Sequence, residues 1–142
     1  MVVRSAVINS NSQNFEPMSE KQKSILIVDD DQRNIYALSE VLKAHNFTVV
    51  SAESMQEAFE KLKNGHTISI ILLDMMMPEM DGYEGIRLLK KDASLRDLPV
   101  FALTAQAMTG DREKCLDAGA REYFSKPVDV SLLLKKLNEY LK

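Results

Sequence analysis

Five short apolar runs recur along the chain, and between them the apolar positions switch to helical spacing. Runs 24–29, 47–51, 68–73, 99–103 and 121–124 read as strands, and the intervals near 32–45, 54–64, 83–92, 107–118 and 129–141 read as helices. Ile35, Leu38 and Leu42 share one face of the first helix, while Val130, Leu133, Leu134, Leu137 and Leu141 make a cleaner stripe on the last. Gly119 and the pair Asn64-Gly65 read as left-handed helix stops. The run Ile70-Ile71-Leu72-Leu73 contains no polar position, which predicts a strand covered on both faces. Regular alternation of this kind predicts an α/β fold: a doubly wound, five-stranded parallel sheet with helices on both faces and right-handed crossovers.

Residues 1–23 lack this periodicity and are rich in Asn, Ser, Gln, Glu and Lys, so they read as a flexible N-terminal tail before one domain at 24–142. Met18, inside that stretch, is a candidate alternative start. A chain of 142 residues is long enough to bury a real core. The net charge of −3 offers no basic face, so direct nucleic-acid binding is not expected. No stretch nears the roughly 18 apolar residues of a membrane helix. Asn9-Ser10-Asn11-Ser12 cuts off the short apolar patch at Met1 to Ile8 before it reaches signal-peptide length. A single cysteine, Cys115, forms no internal disulfide and reads as a packing residue. Together these point to a cytoplasmic protein. The sequence to residue 142 shows no output domain, so direct transcriptional control is not expected.

In a parallel sheet the carboxyl ends of all strands share one edge, where open α/β sheets bind ligands. That edge collects Asp29 and Asp30 after the first strand, Asp74 after the third, Thr104 after the fourth, and Lys126-Pro127 after the fifth. Three carboxylates so placed repel, and at least one has its pKa raised unless a cation intervenes. Oxygen-only donors with room for water suit Mg²⁺, and a hydroxyl and an ammonium beside them suit phosphoryl oxygens. Pro78 and Gly82 impose a loop after Asp74. Asp31 and Asp81, each just before a helix, read as N-caps, with Gly82 permitting the turn. Met75, Met76, Met77 and Met80 have no accompanying His or Cys and do not read as a soft-metal site. His45 and His66 read as surface residues.

Asp29-Asp30, the loop from Asp74 to Gly82, Leu103-Thr104-Ala105 and Ser125-Lys126-Pro127 follow in order. In that combination the chain, from about Ser24 to Lys142, resembles the receiver domain of two-component response regulators, the chemotaxis-regulator type. The resemblance implies a (βα)5 flavodoxin-like fold with strand order 2-1-3-4-5. It implies Asp74 as phosphoacceptor, Asp30 as a direct Mg²⁺ ligand, Asp29 acting through metal-bound water, and the Met76 carbonyl as a further ligand. Thr104 would bind a phosphoryl oxygen, Lys126 would pair with the phosphoryl group, and Tyr123 falls at the aromatic switch position. Gln106 and Met76 occupy the positions that tune how fast phosphate is gained and lost, and Lys126-Pro127 matches a bond commonly cis in the family.

The implied function is a phosphorylation switch, not an enzyme acting on other molecules. Asp74 takes a phosphoryl group from a histidine kinase or a histidine phosphotransfer protein, the surface around helices 4 and 5 responds, and slow self-dephosphorylation clears the signal. The domain would be free-standing or part of a hybrid sensor kinase, a monomer or a phosphorylation-dependent dimer, with a downstream protein unnamed by the sequence. A rival reading is a phosphatase of the haloacid-dehalogenase type, since Asp29-Asp30-Asp31 mimics its Asp-x-Asp motif. Against it, Gln32-Arg33 stands where that family has a Gly-Thr type of turn, and no acidic pair follows Lys126. A receiver that binds partners without phosphorylation is a third reading.

Overall fold

The computed structural model describes residues 23–78, 80–105 and 108–141. The elements alternate as β1 (Ser24–Val28), α1 (Gln32–Ala44), β2 (Thr48–Ala52), α2 (Met55–Lys63), β3 (Ile70–Asp74), α3 (Gly82–Lys91), β4 (Val100–Thr104), α4 (Asp111–Ala118), β5 (Glu122–Ser125) and α5 (Val130–Tyr140). All sheet pairings are parallel, and the strand order is β2-β1-β3-β4-β5. The expectation of a doubly wound sheet with order 2-1-3-4-5 is borne out. The expected tail lies almost wholly outside the described residues.

Burial follows the sequence pattern. Every residue of β3 and β4 is buried, whereas the edge strands β2 and β5 are mostly intermediate or exposed. Strand residues alternate between two cores, as the two-residue period requires. Leu26, Val28, Ile71, Leu73 and Ala102 pack with α2, α3 and α4, whereas Ile25, Ile27, Ile70, Leu72 and Phe101 pack with α1 and α5. Helix starts are capped by side chains: Asp31, Ser54, Asp81 and Asp129 accept from Arg33, Glu57, Glu84 and Leu132 backbone N–H groups. Gly65 and Gly119, with φ of +92° and +126°, supply the left-handed stops expected of them. Cys115, Met75 and Met77 are buried packing residues, and His45 and His66 are exposed.

Four details differ from the sequence pattern. The fourth helix starts at Asp111 rather than near 107, because Gly110 adopts φ +89° and turns the chain immediately before it. Val130 does not join the core stripe of α5; it is exposed at the helix start. The third strand runs Ile70–Asp74 rather than 68–73, so Asp74, at the carboxyl end as expected, closes the strand in register with Leu103. Gly82 is required for close approach more than for a turn. A Cβ there would stand 2.8 Å from the Met75 Cα and press on the Met75 sulfur.

Gly82→Ala is therefore expected to destabilise the domain by about 1–3 kcal/mol, the usual cost of overpacking. Denaturant unfolding checks this, with Gly65→Ala as a comparison whose strain is conformational only: its Cβ meets nothing within 4 Å.

Candidate functional site

β1 and β3 are hydrogen-bonded neighbours, Val28 lying level with Leu73, so the residues that follow each end side by side at the carboxyl edge. Asp29, Asp30 and Asp74 each present an oxygen there, with the three oxygens within 4.8 Å of one another. The three differ in setting. Asp29 is 1% exposed and Asp74 5% exposed, while Asp30 faces solvent.

Asp29 is the most tightly held. Its Oδ1 accepts the Asp31 backbone N–H at 2.9 Å, and its Oδ2 accepts both Lys126 Nζ at 2.8 Å and Asn34 Nδ2 at 3.3 Å. Asp74 accepts the Met76 backbone N–H at 3.0 Å, and Lys126 Nζ lies 3.8 Å from the same Oδ1. Lys126 thus stands between the two buried carboxylates. Its position comes from the backbone: the Lys126 N–H donates to the Thr104 carbonyl at 2.8 Å, tying the β5 exit to the end of β4, and Lys126-Pro127 is cis.

Burial pushes the Asp74 carboxyl above the ordinary carboxylate range. The Met76 N–H and the Lys126 ammonium pull it down, the Asp29 and Asp30 charges push it up, and desolvation prevails. A cation placed among these oxygens would remove the repulsion. The donor set consists of carboxylates beside a solvent-facing Asp30, which fits Mg²⁺ with part of its water shell retained.

Thr104, 3% exposed, ends β4 one strand away from Asp74. Tyr123 is level with Ala102, so Tyr123 and Thr104 address the same face of the sheet. The Tyr123 hydroxyl is buried and has no hydrogen-bond partner among the described residues. Nearby, the Cys115 thiol lies 3.6 Å from the Tyr83 hydroxyl, and the Lys114 ammonium sits 4.5 Å from the Tyr83 ring centroid. Met76, beside Asp74, is 49% exposed. Gln106 lies outside the described residues. The structure therefore brings together Asp29, Asp30, Asp74, Met76 and Lys126, with Thr104 on the adjacent strand end and Tyr123 further from the acidic cluster.

Asp31, the third carboxylate of the Asp-x-Asp lookalike, points away from the cluster. It caps α1 and pairs with Arg33 at 3.0 Å. Asn34 was missed as a site residue. The only signal for it was a polar side chain in the first turn of α1, adjoining the apolar stripe that begins at Ile35.

The sequence model for the response regulator receiver domain matches residues 25–138. The chain belongs to this family. This receiver domain is 40% identical over 119 residues to hybrid signal transduction histidine kinase M of Dictyostelium discoideum, covering 81% of the chain but 5% of that relative's length. It is 34% identical to the polar-differentiation response regulator DivK of Brucella ovis, covering 84% of the chain and 96% of DivK. Among solved structures it resembles the receiver domain of a sensor histidine kinase from Pseudomonas aeruginosa, which has a magnesium ion coordinated in its active-site cleft. That match has a TM-score of 0.75 and 30% identity, and covers 84% of this chain and 97% of the other. Receiver domains are signalling modules of two-component systems, and hybrid kinases carry them too. No helix among the described residues is long and apolar enough to cross a membrane.

The raised Asp74 pKa has a consequence for stability. The folded state binds the Asp74 proton more tightly than the unfolded chain, whose carboxyl titrates near 3.9. Stability therefore falls as pH rises through the window from about 4 to the folded value. Asp74→Asn is expected to melt at a higher temperature than wild type at pH 7 in EDTA, the gap closing as pH drops toward about 4. Thermal melts across that pH range check this; an Asn variant that melts no higher at pH 7 contradicts it.

Proposed function

We propose that this receiver domain is a phosphoacceptor of a two-component phosphorelay, in which Asp74 takes a phosphoryl group from a phosphohistidine protein. The observation that carries the reading is the convergence of Asp29, Asp30 and Asp74 within 4.8 Å, with Lys126 Nζ close to both buried carboxylates. Asp74 is the nucleophile: it closes the buried strand β3 with its carboxyl pushed up by burial, so the fold alone leaves its charge poorly stabilised. Asp30 and Asp29, with the Met76 carbonyl, are the residues that would hold Mg²⁺. The ion supplies neutralisation of charge that builds on the oxygens during in-line phosphoryl transfer. Lys126 pairs with the new phosphoryl oxygens, giving up part of its contact with Asp29, and Thr104 contributes its hydroxyl to them. Met76 and Gln106 flank the reaction and tune its rates.

The partner's docking place is suggested by a groove of about 230 Å³ beside the site, between α1 and the start of α5. Asn34, Ala37, Leu38, Pro127, Val128 and Val130 line it, and the exposed Tyr36 side chain lies on the same helix. A histidine kinase or histidine phosphotransfer protein bound there would stand at the Lys126 edge of the acidic cluster.

The switch reading draws support from α4. Only Cys115 of its residues is buried, and Gly110 at its start offers no side-chain cap. It is thus the lightly anchored helix over the sheet face shared by Thr104 and Tyr123. Phosphorylation would shift an equilibrium in how α4, β5 and α5 present their surface to a downstream protein or to a second copy of the domain. The 40% identity to a hybrid kinase favours a second version of the reading, in which this domain is the receiver module of such a kinase. The haloacid-dehalogenase alternative loses its motif, since Asp31 caps α1.

Incubation with acetyl phosphate and Mg²⁺, followed by intact-mass measurement, is expected to show a labile phosphoryl adduct on wild type and none on Asp74→Asn. An adduct on both proteins, or on neither, overturns the assignment.

A further inference from the structure

We propose that Asn34 is a positioning residue for Asp29, keeping this metal-site carboxylate in place when Lys126 leaves it for the phosphoryl group. The inference rests on the phosphoacceptor reading above and deepens it. Among the described residues three donors hold Asp29: the Asp31 N–H on Oδ1, and Lys126 Nζ and Asn34 Nδ2 on Oδ2. The two that share Oδ2 differ in what they can do. Lys126 is the only cationic one and lies within 3.8 Å of Asp74 Oδ1, so any negative group on Asp74 competes with Asp29 for it. Asn34 is neutral, short and fixed on the first turn of α1, behind the Asp31 cap. A phosphoryl group on Asp74 does not draw it away.

Without Asn34, departure of Lys126 would leave a 1%-exposed carboxylate with a single backbone donor. A buried carboxylate so reduced rotates toward water to regain hydrogen bonds, which spoils it as a metal-site oxygen. Asn34 prevents this without adding a second positive charge, which would repel the divalent cation. It also lines the groove beside α1 together with Lys126, so it lies where a docked phosphodonor would cover it. That closure would shield the Asn34–Asp29 hydrogen bond from water at the moment of transfer.

The test is Mg²⁺ titration of the unphosphorylated protein by calorimetry, read beside thermal melting. Asn34→Ala is expected to weaken Mg²⁺ binding by about three- to tenfold, the range for one ordinary hydrogen bond, while its metal-free melting temperature falls by no more than a few degrees. At saturating Mg²⁺ its labelling by acetyl phosphate should return to the wild-type rate, since the residue acts through the metal site and touches no reacting atom. In a Lys126→Met background, where the competing donor is already gone, the same Asn34→Ala change should cost more in Mg²⁺ affinity than it does with Lys126 present.

Equal Mg²⁺ affinity in Lys126→Met with and without Asn34→Ala overturns the proposal. So does a loss of affinity that merely accompanies a large drop in melting temperature, or a loss no greater in the Lys126→Met background. If wild type binds no Mg²⁺ and takes no phosphoryl group, the phosphoacceptor reading and this inference fall together. If wild type does both while Asn34→Ala costs no Mg²⁺ affinity in the Lys126→Met background, only the inference falls.

Discussion

Repulsion among carboxylates confined to one sheet edge is the constraint on which the rest of the site depends. Parallel pairing aligns the ends of β1 and β3, and the aspartates that end or follow these strands have nowhere else to go. The confinement is stiff because β3 and β4 are buried along their whole length, so moving Asp74 means unpacking core. The fold answers with donors: backbone N–H groups from Asp31 and Met76, the Asn34 amide, and the Lys126 ammonium. These hold Asp29 firmly and leave Asp74 with its carboxyl pushed up. A site that is only partly neutralised by its own protein is suited to a divalent cation, and then to a group that brings further oxygens.

The same sheet separates two cores, and on one of them α4 is the helix that buries least. On one side α1 and α5 bury Leu38, Leu42, Leu133 and Leu137 against Ile25, Ile27, Leu72 and Phe101. On the other, α2 and α3 pack through Met55, Ala58, Ile86 and Leu89, while α4 contributes Cys115 alone among its own residues to the buried set. Besides its place in the apolar core, Cys115 meets the Tyr83 hydroxyl, whose ring carries the Lys114 ammonium, and the nearby Tyr123 hydroxyl is buried with no partner among the described residues. α4 is therefore the helix least committed to the core on this face. In the proposed function that is the property a switch surface requires, since a modest change at Thr104 and Lys126 then suffices to shift the balance.

Much of the fold was legible because the apolar pattern and the burial have one cause. Ile70 to Leu73 could be placed as an interior strand since no polar residue interrupts them, and the alternation of strand and helix left parallel pairing as the natural solution. The candidate site was legible to the extent that its residues sit at strand ends, where topology alone puts them together; Asp29, Asp30, Asp74, Thr104 and Lys126 all do. What was misread came from local geometry that no pattern encodes. Gly82 looked like a turn residue and proves to be a clearance for Met75; α4 starts late because Gly110 takes a left-handed conformation; Val130 belongs to the groove rather than to the core.

The amino-acid sequence by itself determined the order of elements, the interior strands, and the list of groups that share the carboxyl edge, because these depend on periodicity and connectivity. Only the tertiary structure decided how those groups divide their work. Lys126 binds to Asp29 from 97 residues away, and Asn34 reaches the same oxygen from the first turn of α1. Asp31, adjacent in sequence to the two site aspartates, turns out of the cluster to cap a helix. Hydrogen bonds between side chains brought together by folding depend on direction as well as proximity, and direction is set by packing.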